Sequence, residues 1–306
     1  MNEQPPRGYS LVRRLGSGAA GTVYVGKQIS LERTVALKRI PVSVNLDSAA
    51  RAELLIEARA LASMRSPNVI AIYDIGFTPD AAWLVTQYVE GEDLQSIIEA
   101  HPQIPPEIAQ RWILQICRAL SDAAQKGITH RDVKPANILI DTEGNALLAD
   151  FGVADIRRSV ANNATGSALG TPAYMAPEQI RGEATDQRSD LYAAALIAYQ
   201  LLVGEHPFLP KATDLGSLYE AQLHESAFAD DSTGLNRATR KCLEQALEKD
   251  PARRQERVQV FGDELERAFK RASARGWRGR GWTLAVLAVC LVGAAFGLAV
   301  GLFLNK

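Results

Sequence analysis

Cysteine is scarce in this chain of 306 residues: Cys117, Cys242 and Cys290 are the only three, an odd number with no metal-ligand spacing. That excludes a disulfide framework and a structural zinc site, and it points to thiols in a reducing compartment. Internal repeats and low-complexity tracts are absent, so the chain is no solenoid or tethering linker. It does not lack core-forming residues. With 47% hydrophobic and 23% charged residues, a disordered or collagen-like chain is excluded, and the length suits one large domain or two small ones. Positive charge is not in excess either: residues 1–269 hold 28 bases against 35 acids, which leaves no footprint for nucleic acid. Acids are missing altogether from residues 270–306, which hold six Lys and Arg. The opening MNEQPPRGYS has no apolar core, so no signal peptide is expected.

Trp282 to Leu304 is a run of 23 residues without a charge. As a helix it would extend about 34 Å, enough for a hydrocarbon core of about 30 Å. Lys270, Arg271, Arg275, Arg278 and Arg280 precede it, and the positive-inside rule sets that side in the cytoplasm. The expectation is a single C-terminal transmembrane helix in the inner, cytoplasmic membrane, with only Asn305 and Lys306 beyond the bilayer. Gly293, Gly297 and Gly301 share one helix face and form a candidate homodimer seam.

Upstream, Tyr9–Leu15, Thr22–Ile29 and Thr34–Ile40 read as strands separated by glycine-containing turns. Residues 48–65 change to a helical period and stop before Ser66-Pro67. Two further strand-like runs, Val69–Phe77 and Ala82–Val89, lead to Gly91-Glu92-Asp93, a hydrophilic break. Helices are expected at 93–100, 106–126, 189–203, 215–225, 236–248 and 255–274. Strands first and helices afterwards predict an α+β chain of two lobes joined near residue 90.

Four motifs carry chemistry. Gly16-Ser17-Gly18-Ala19-Ala20-Gly21 is followed by the strand-like Thr22-Val23-Tyr24-Val25 rather than by a helix, so it suits a phosphate-covering hairpin and not a dinucleotide fold. In Val35-Ala36-Leu37-Lys38 a cation lies on an apolar strand, and Glu57, or its rival Glu53, could supply the counter-charge. His130-Arg131-Asp132-Val133-Lys134-Pro135-Ala136-Asn137 precedes Asp150-Phe151-Gly152. These supply a proton acceptor, a cation for a phosphoryl group and hard oxygen ligands for Mg²⁺. Finally, Glu178 in Ala176-Pro177-Glu178 has a distant candidate partner in Arg254.

In this motif set and its order, residues 9–268 resemble the protein kinases, most closely the eukaryotic-like (Hanks-type) serine/threonine kinases of bacteria. The resemblance implies a two-lobed kinase fold over 9–268, with a β-rich N-lobe at about 9–89 and a helical C-lobe at about 92–268. It would lie between an N-terminal tail at 1–8 and a basic linker at 269–281. It implies Asp132 as catalytic base, Lys38 paired with Glu57, and Lys134 and Thr171 at the reacting group. ATP would lie among Leu15, Gly16, Ser17, Gly18, Ala19, Ala20, Gly21, Val23, Ala36 and Leu139, with Gln87 and Val89 at the adenine and Thr86 behind it. Asn137 and Asp150 would hold Mg²⁺, with Mn²⁺ as an alternative. Asp190 would brace the His130-Arg131-Asp132 turn. Ala20, where relatives often carry an aromatic, and Gln87, where many carry an acid, depart from the pattern.

Arg131 beside the polar segment Ala154–Leu169 implies an anion to be paired. Thr165, Ser167 and Ser159 are the candidate phosphosites, modified in trans by a second copy concentrated at the membrane. The partners expected are protein substrates with Ser or Thr and the lipid bilayer. A nucleotide-binding scaffold without activity normally lacks one of these catalytic groups, and none is missing here. A small-molecule kinase is disfavoured by Gly170–Glu178, a peptide platform in the family.

Overall fold

The computed structural model describes residues 4–18, 21–41, 55, 59, 61–151, 172–229 and 233–274. Five antiparallel strands come first: β1 (Tyr9–Gly18), β2 (Gly21–Gln28), β3 (Arg33–Pro41), β4 (Ile72–Thr78) and β5 (Ala81–Gln87), in the order β1-β2-β3-β5-β4. Side chains alternate across a strand, and the two faces bury separate clusters. Val35 and Leu37 of β3 pack with Trp83 and Val85 of β5 and with Tyr9 and Tyr24. Ile40, Ala82 and Leu84 face the other way with Ile72, Ile75 and Phe77. Lys38, next to Leu37, therefore points away from the Val35–Leu37 cluster, yet it is buried.

A second, small sheet follows, β6 (Gly91–Asp93), β7 (Ile138–Asp141) and β8 (Ala146–Leu148), in the order β6-β7-β8. The helices are α1 (Leu94–Ala100), α2 (Pro106–Ala124), α3 (Pro177–Ile180), α4 (Gln187–Val203), α5 (Leu215–His224), α6 (Arg237–Ala246) and α7 (Val258–Ala274). Their starts are capped by side chains that accept orphan amides: Asp93, Asp186, Asp214 and Asn236 do this for α1, α4, α5 and α6. Gly204 ends α4 in the left-handed region. Helix α4 is apolar nearly all round and buries Leu191, Leu196 and Ile197 completely, so it forms the centre on which α2, α6 and α7 pack.

The five expected strands and six expected helices are present, with ends shifted by a few residues. Two readings are corrected. Gly91-Glu92-Asp93 is no break but a strand, paired with Leu139 to Asp141. Val69 lies outside β4 and bridges in parallel to Leu148, joining the chain before β4 to the small sheet. Strands β7 and β8 and helix α3 went unpredicted because three or four residues carry no period. The helix expected over 48–65 lies largely outside the described residues. Among the described residues no helix is long and apolar enough to cross a membrane, and residues 282–304 lie outside them.

Candidate active site

The glycine-rich segment closes the hairpin of β1 and β2, where Gly16, Ser17 and Gly18 pair with Val23, Thr22 and Gly21. Gly21 has φ +116°, and a Cβ there would land on the Arg39 carbonyl, so only glycine fits. A Cβ at Gly16 or Gly18 would meet nothing within 4 Å, so the backbone borders the open space that phosphates require. Ala19 and Ala20 lie outside the described residues. Ala36, Val23 and Leu139 are only partly buried, and Leu15 is exposed. Ala36 sits opposite Thr86 on β5. The Gln87 amide donates to the Ala71 carbonyl at 2.8 Å, which ties the end of β5 to the chain before β4.

Lys38 Nζ donates to Asp150 Oδ2 at 2.6 Å, an ion pair whose lysine is 7% exposed and whose aspartate is 32% exposed. Glu57, the expected partner, lies outside the described residues, as does Glu53. Asp150 has φ +63°, an uncommon conformation for a residue with a side chain.

The turn before β7 is built on Asp190, the fourth residue of α4. Its two carboxylate oxygens accept the amides of His130 at 2.7 Å and Arg131 at 2.8 Å. Burial pushes its pKa up, against the opposing pull of His130 and of those two amides. His130 Nε2 donates to the Ala149 carbonyl at 2.8 Å, and its Nδ1 accepts the Asp132 amide at 3.3 Å, so both ring nitrogens are engaged by the backbone. The same ring lies 4.5 Å from Phe151, so it ties the turn to the Asp150 segment.

The Asp132 carboxylate accepts Lys134 Nζ at 2.8 and 3.1 Å and Asn137 Nδ2 at 3.1 Å. Asn137 Nδ2 also donates to the Asp132 carbonyl at 2.7 Å, and that orientation leaves Oδ1 to other partners. No group of three or more His, Cys, Asp or Glu suited to a metal occurs among the described residues. The Asn137 oxygen and the Asp150 carboxylate still suit Mg²⁺, which takes one or two protein oxygens together with water and substrate phosphates.

On the far side of the turn, Arg254 forks onto Glu178, with Nη1 to Oε1 at 2.7 Å and Nη2 to Oε2 at 2.8 Å. Both side chains are buried, and Ser189 Oγ adds a third bond at 2.7 Å. Burial would raise the Glu178 pKa, but the Arg254 bonds outweigh it and hold the carboxyl below its usual range. Thr171, Ser159, Thr165 and Ser167 lie outside the described residues.

Three site-adjacent residues escaped the sequence reading. Gln222 of α5, fully buried, turns its Nε2 toward the carbonyls of Pro172, Ala173 and Met175 at 2.9 to 3.2 Å. His206 Nε2 donates to the Ala173 carbonyl at 2.9 Å. Gln179 bonds the Arg131 carbonyl from α3. For Gln222 there was a signal, because it stands four residues after Leu218 on the buried face of α5. For His206 and Gln179 there was none.

The protein kinase domain profile matches residues 9–264. The serine/threonine-protein kinase PrkC of Bacillus subtilis is 33% identical over 261 residues, covering 85% of this chain and 40% of that protein. PknJ of Mycobacterium bovis is 33% identical over 276 residues, covering 88% and 47%. The chain thus spans less than half the length of these curated relatives. Among solved structures, the PknI kinase domain of Mycobacterium tuberculosis superposes with a TM-score of 0.65 at 28% identity, over 87% of this chain and 97% of that one.

Proposed function

The chain belongs to the protein kinase family, and from that membership we propose that it transfers the γ-phosphoryl group of ATP to serine and threonine hydroxyls of proteins. The observation that carries this reading is the contact of Asp132 with Lys134 and Asn137 on a turn fastened by Asp190. Asp132 accepts the proton of the acceptor hydroxyl, and Lys134 lends its charge to the phosphoryl in transit. Lys38 orients the nucleotide phosphates under Gly16, Ser17, Gly18 and Gly21, with Glu57 as its counter-charge. Leu15, Val23, Ala36 and Leu139 enclose the adenine beside Gln87 and Val89, and Thr171 faces the acceptor. Asn137 Oδ1 and Asp150 would hold Mg²⁺ or Mn²⁺, which when bound neutralises charge on the phosphate oxygens.

Two further parts belong to the same proposal. The segment 154–171 is phosphorylated in trans at Thr165, Ser167 or Ser159, giving Arg131 an anion to pair. Residues 282–304 anchor the kinase to the inner membrane and bring copies together through Gly293, Gly297 and Gly301. The apolar run and the bases before it support this.

The test is transfer from γ-labelled ATP with Mg²⁺ by the full chain, compared with Asp132→Asn and Lys38→Met. Label on Ser or Thr is expected, with phosphate mapped to 154–171, and Asp132→Asn should lose about 10² to 10⁴ in rate. An Asp132→Asn chain with full activity would remove that residue from the mechanism.

A further inference from the structure

Gln179 joins the acceptor-side segment to the catalytic turn, and the mechanism above makes no use of it. It is the third residue of α3, where its Oε1 accepts the Ala176 amide at 3.0 Å and closes the start of that helix. Its Nε2 reaches out of the helix to the Arg131 carbonyl at 2.9 Å. Only one orientation of the amide serves both partners, since a flip would set its oxygen against the carbonyl of Arg131.

That carbonyl belongs to the peptide unit that ends in the amide of Asp132. Asp190 holds the amides of His130 and Arg131, and His130 Nδ1 accepts that of Asp132 at 3.3 Å. Arg131 sits at φ +64°, a conformation that costs energy for a residue with a side chain and persists only where surrounding bonds impose it. A small cavity bordered by Asp132, Val133, Met175 and Gln179 lies between the turn and the acceptor-side segment. The Gln179 bond to Arg131 is thus made where residues of the turn and of the acceptor-side segment line a common space.

We propose that Gln179 is a positioning residue that orients Asp132 by holding the Arg131 carbonyl, and so couples the acceptor segment 172–180 to the catalytic turn. The inference rests on the phosphotransfer reading. A role in capping alone predicts something different, because Glu serves as well as Gln at the third position of a capped helix. Gln179→Glu keeps the cap and loses the donor, whereas Gln179→Met loses both.

The experiment is steady-state kinetics of the full chain, wild type against these two variants, with myelin basic protein as acceptor and ATP varied, beside thermal melting of each. Both variants should lose about 10- to 100-fold in kcat, the cost of a misplaced reacting group, while KM for ATP stays near the wild-type value. Gln179→Glu should melt with the wild type. Should it melt earlier, Gln179→Met, assayed well below its own melting temperature, decides by the same loss of kcat at constant KM for ATP. Wild-type kcat in Gln179→Glu overturns the inference and leaves the kinase reading intact. A wild-type chain that transfers no phosphoryl group overturns both.

Discussion

His206 shows how one buried side chain makes stability depend on pH. Its Nε2 donates to the Ala173 carbonyl, and its Nδ1 accepts the amides of Phe208 at 3.2 Å and Leu209 at 3.1 Å, so no lone pair remains for a second proton. Burial pushes its pKa down from 6.5 to about 4. The unfolded chain therefore binds a proton between these values that the folded chain refuses. Stability is fully present above pH 6.5 and falls as pH drops toward 4, by about 3 kcal/mol for this group. Denaturant unfolding at pH 7.5, 6 and 5 should show this loss in the wild type. His206→Gln, less stable at neutral pH, should lack this part of the slope; equal slopes in the two proteins would refute the assignment. The consequence reaches the acceptor-side segment, because His206 and Gln222 hold the same carbonyl, that of Ala173.

Among the elements, the small sheet carries the most consequence for its length. Strand β7 begins at Ile138, directly after Asn137, and Asp93 at the end of β6 both pairs with Leu139 and caps α1. Gly91 makes the pairing of β6 with β7 possible, since a Cβ there would fall on the Ile140 carbonyl. Gly91→Ala should therefore cost about 1 to 3 kcal/mol, the usual range for overpacking, and lower Tm by several degrees. An unchanged Tm would show that β6 gives way freely. This strand was unreadable in the sequence for a physical reason: three polar or small residues have no hydrophobic period, and what makes them a strand is a partner about fifty residues away. The long amphipathic helix α2 was legible because its apolar face repeats over five turns.

On the scale of the whole molecule, charge is divided by position: acids prevail in residues 1–269, and bases alone occur from 270 onward. Were the proposed anchor in place, an anionic lipid surface would attract the basic stretch while repelling the acidic bulk, and so would hold the domain clear of the bilayer. The full chain is expected to float with phosphatidylglycerol vesicles and to resist alkaline extraction, and a chain ending at residue 274 to stay in the supernatant. Full-length protein released by alkali would refute a spanning helix and leave an electrostatic contact at most.

Lys38, Asp132, Lys134, Asn137 and Asp150 could be chosen from the sequence alone, because the motifs that hold them resemble, in kind and order, those of the protein kinases, and the resemblance implies their roles. The strand character of β1 to β3 and the periods of the long helices were determined there too, since each depends on neighbours in the chain. Only the tertiary structure decided that Lys38 rests on Asp150, that Arg254 is buried against Glu178 and not exposed on a helix, and that Gln179, Gln222 and His206 hold the backbone around the site. These contacts join residues from 33 to 112 positions apart. They arise where buried backbone carbonyls and charges must each find a partner, and which partner comes within reach is set by how the helices and sheets pack.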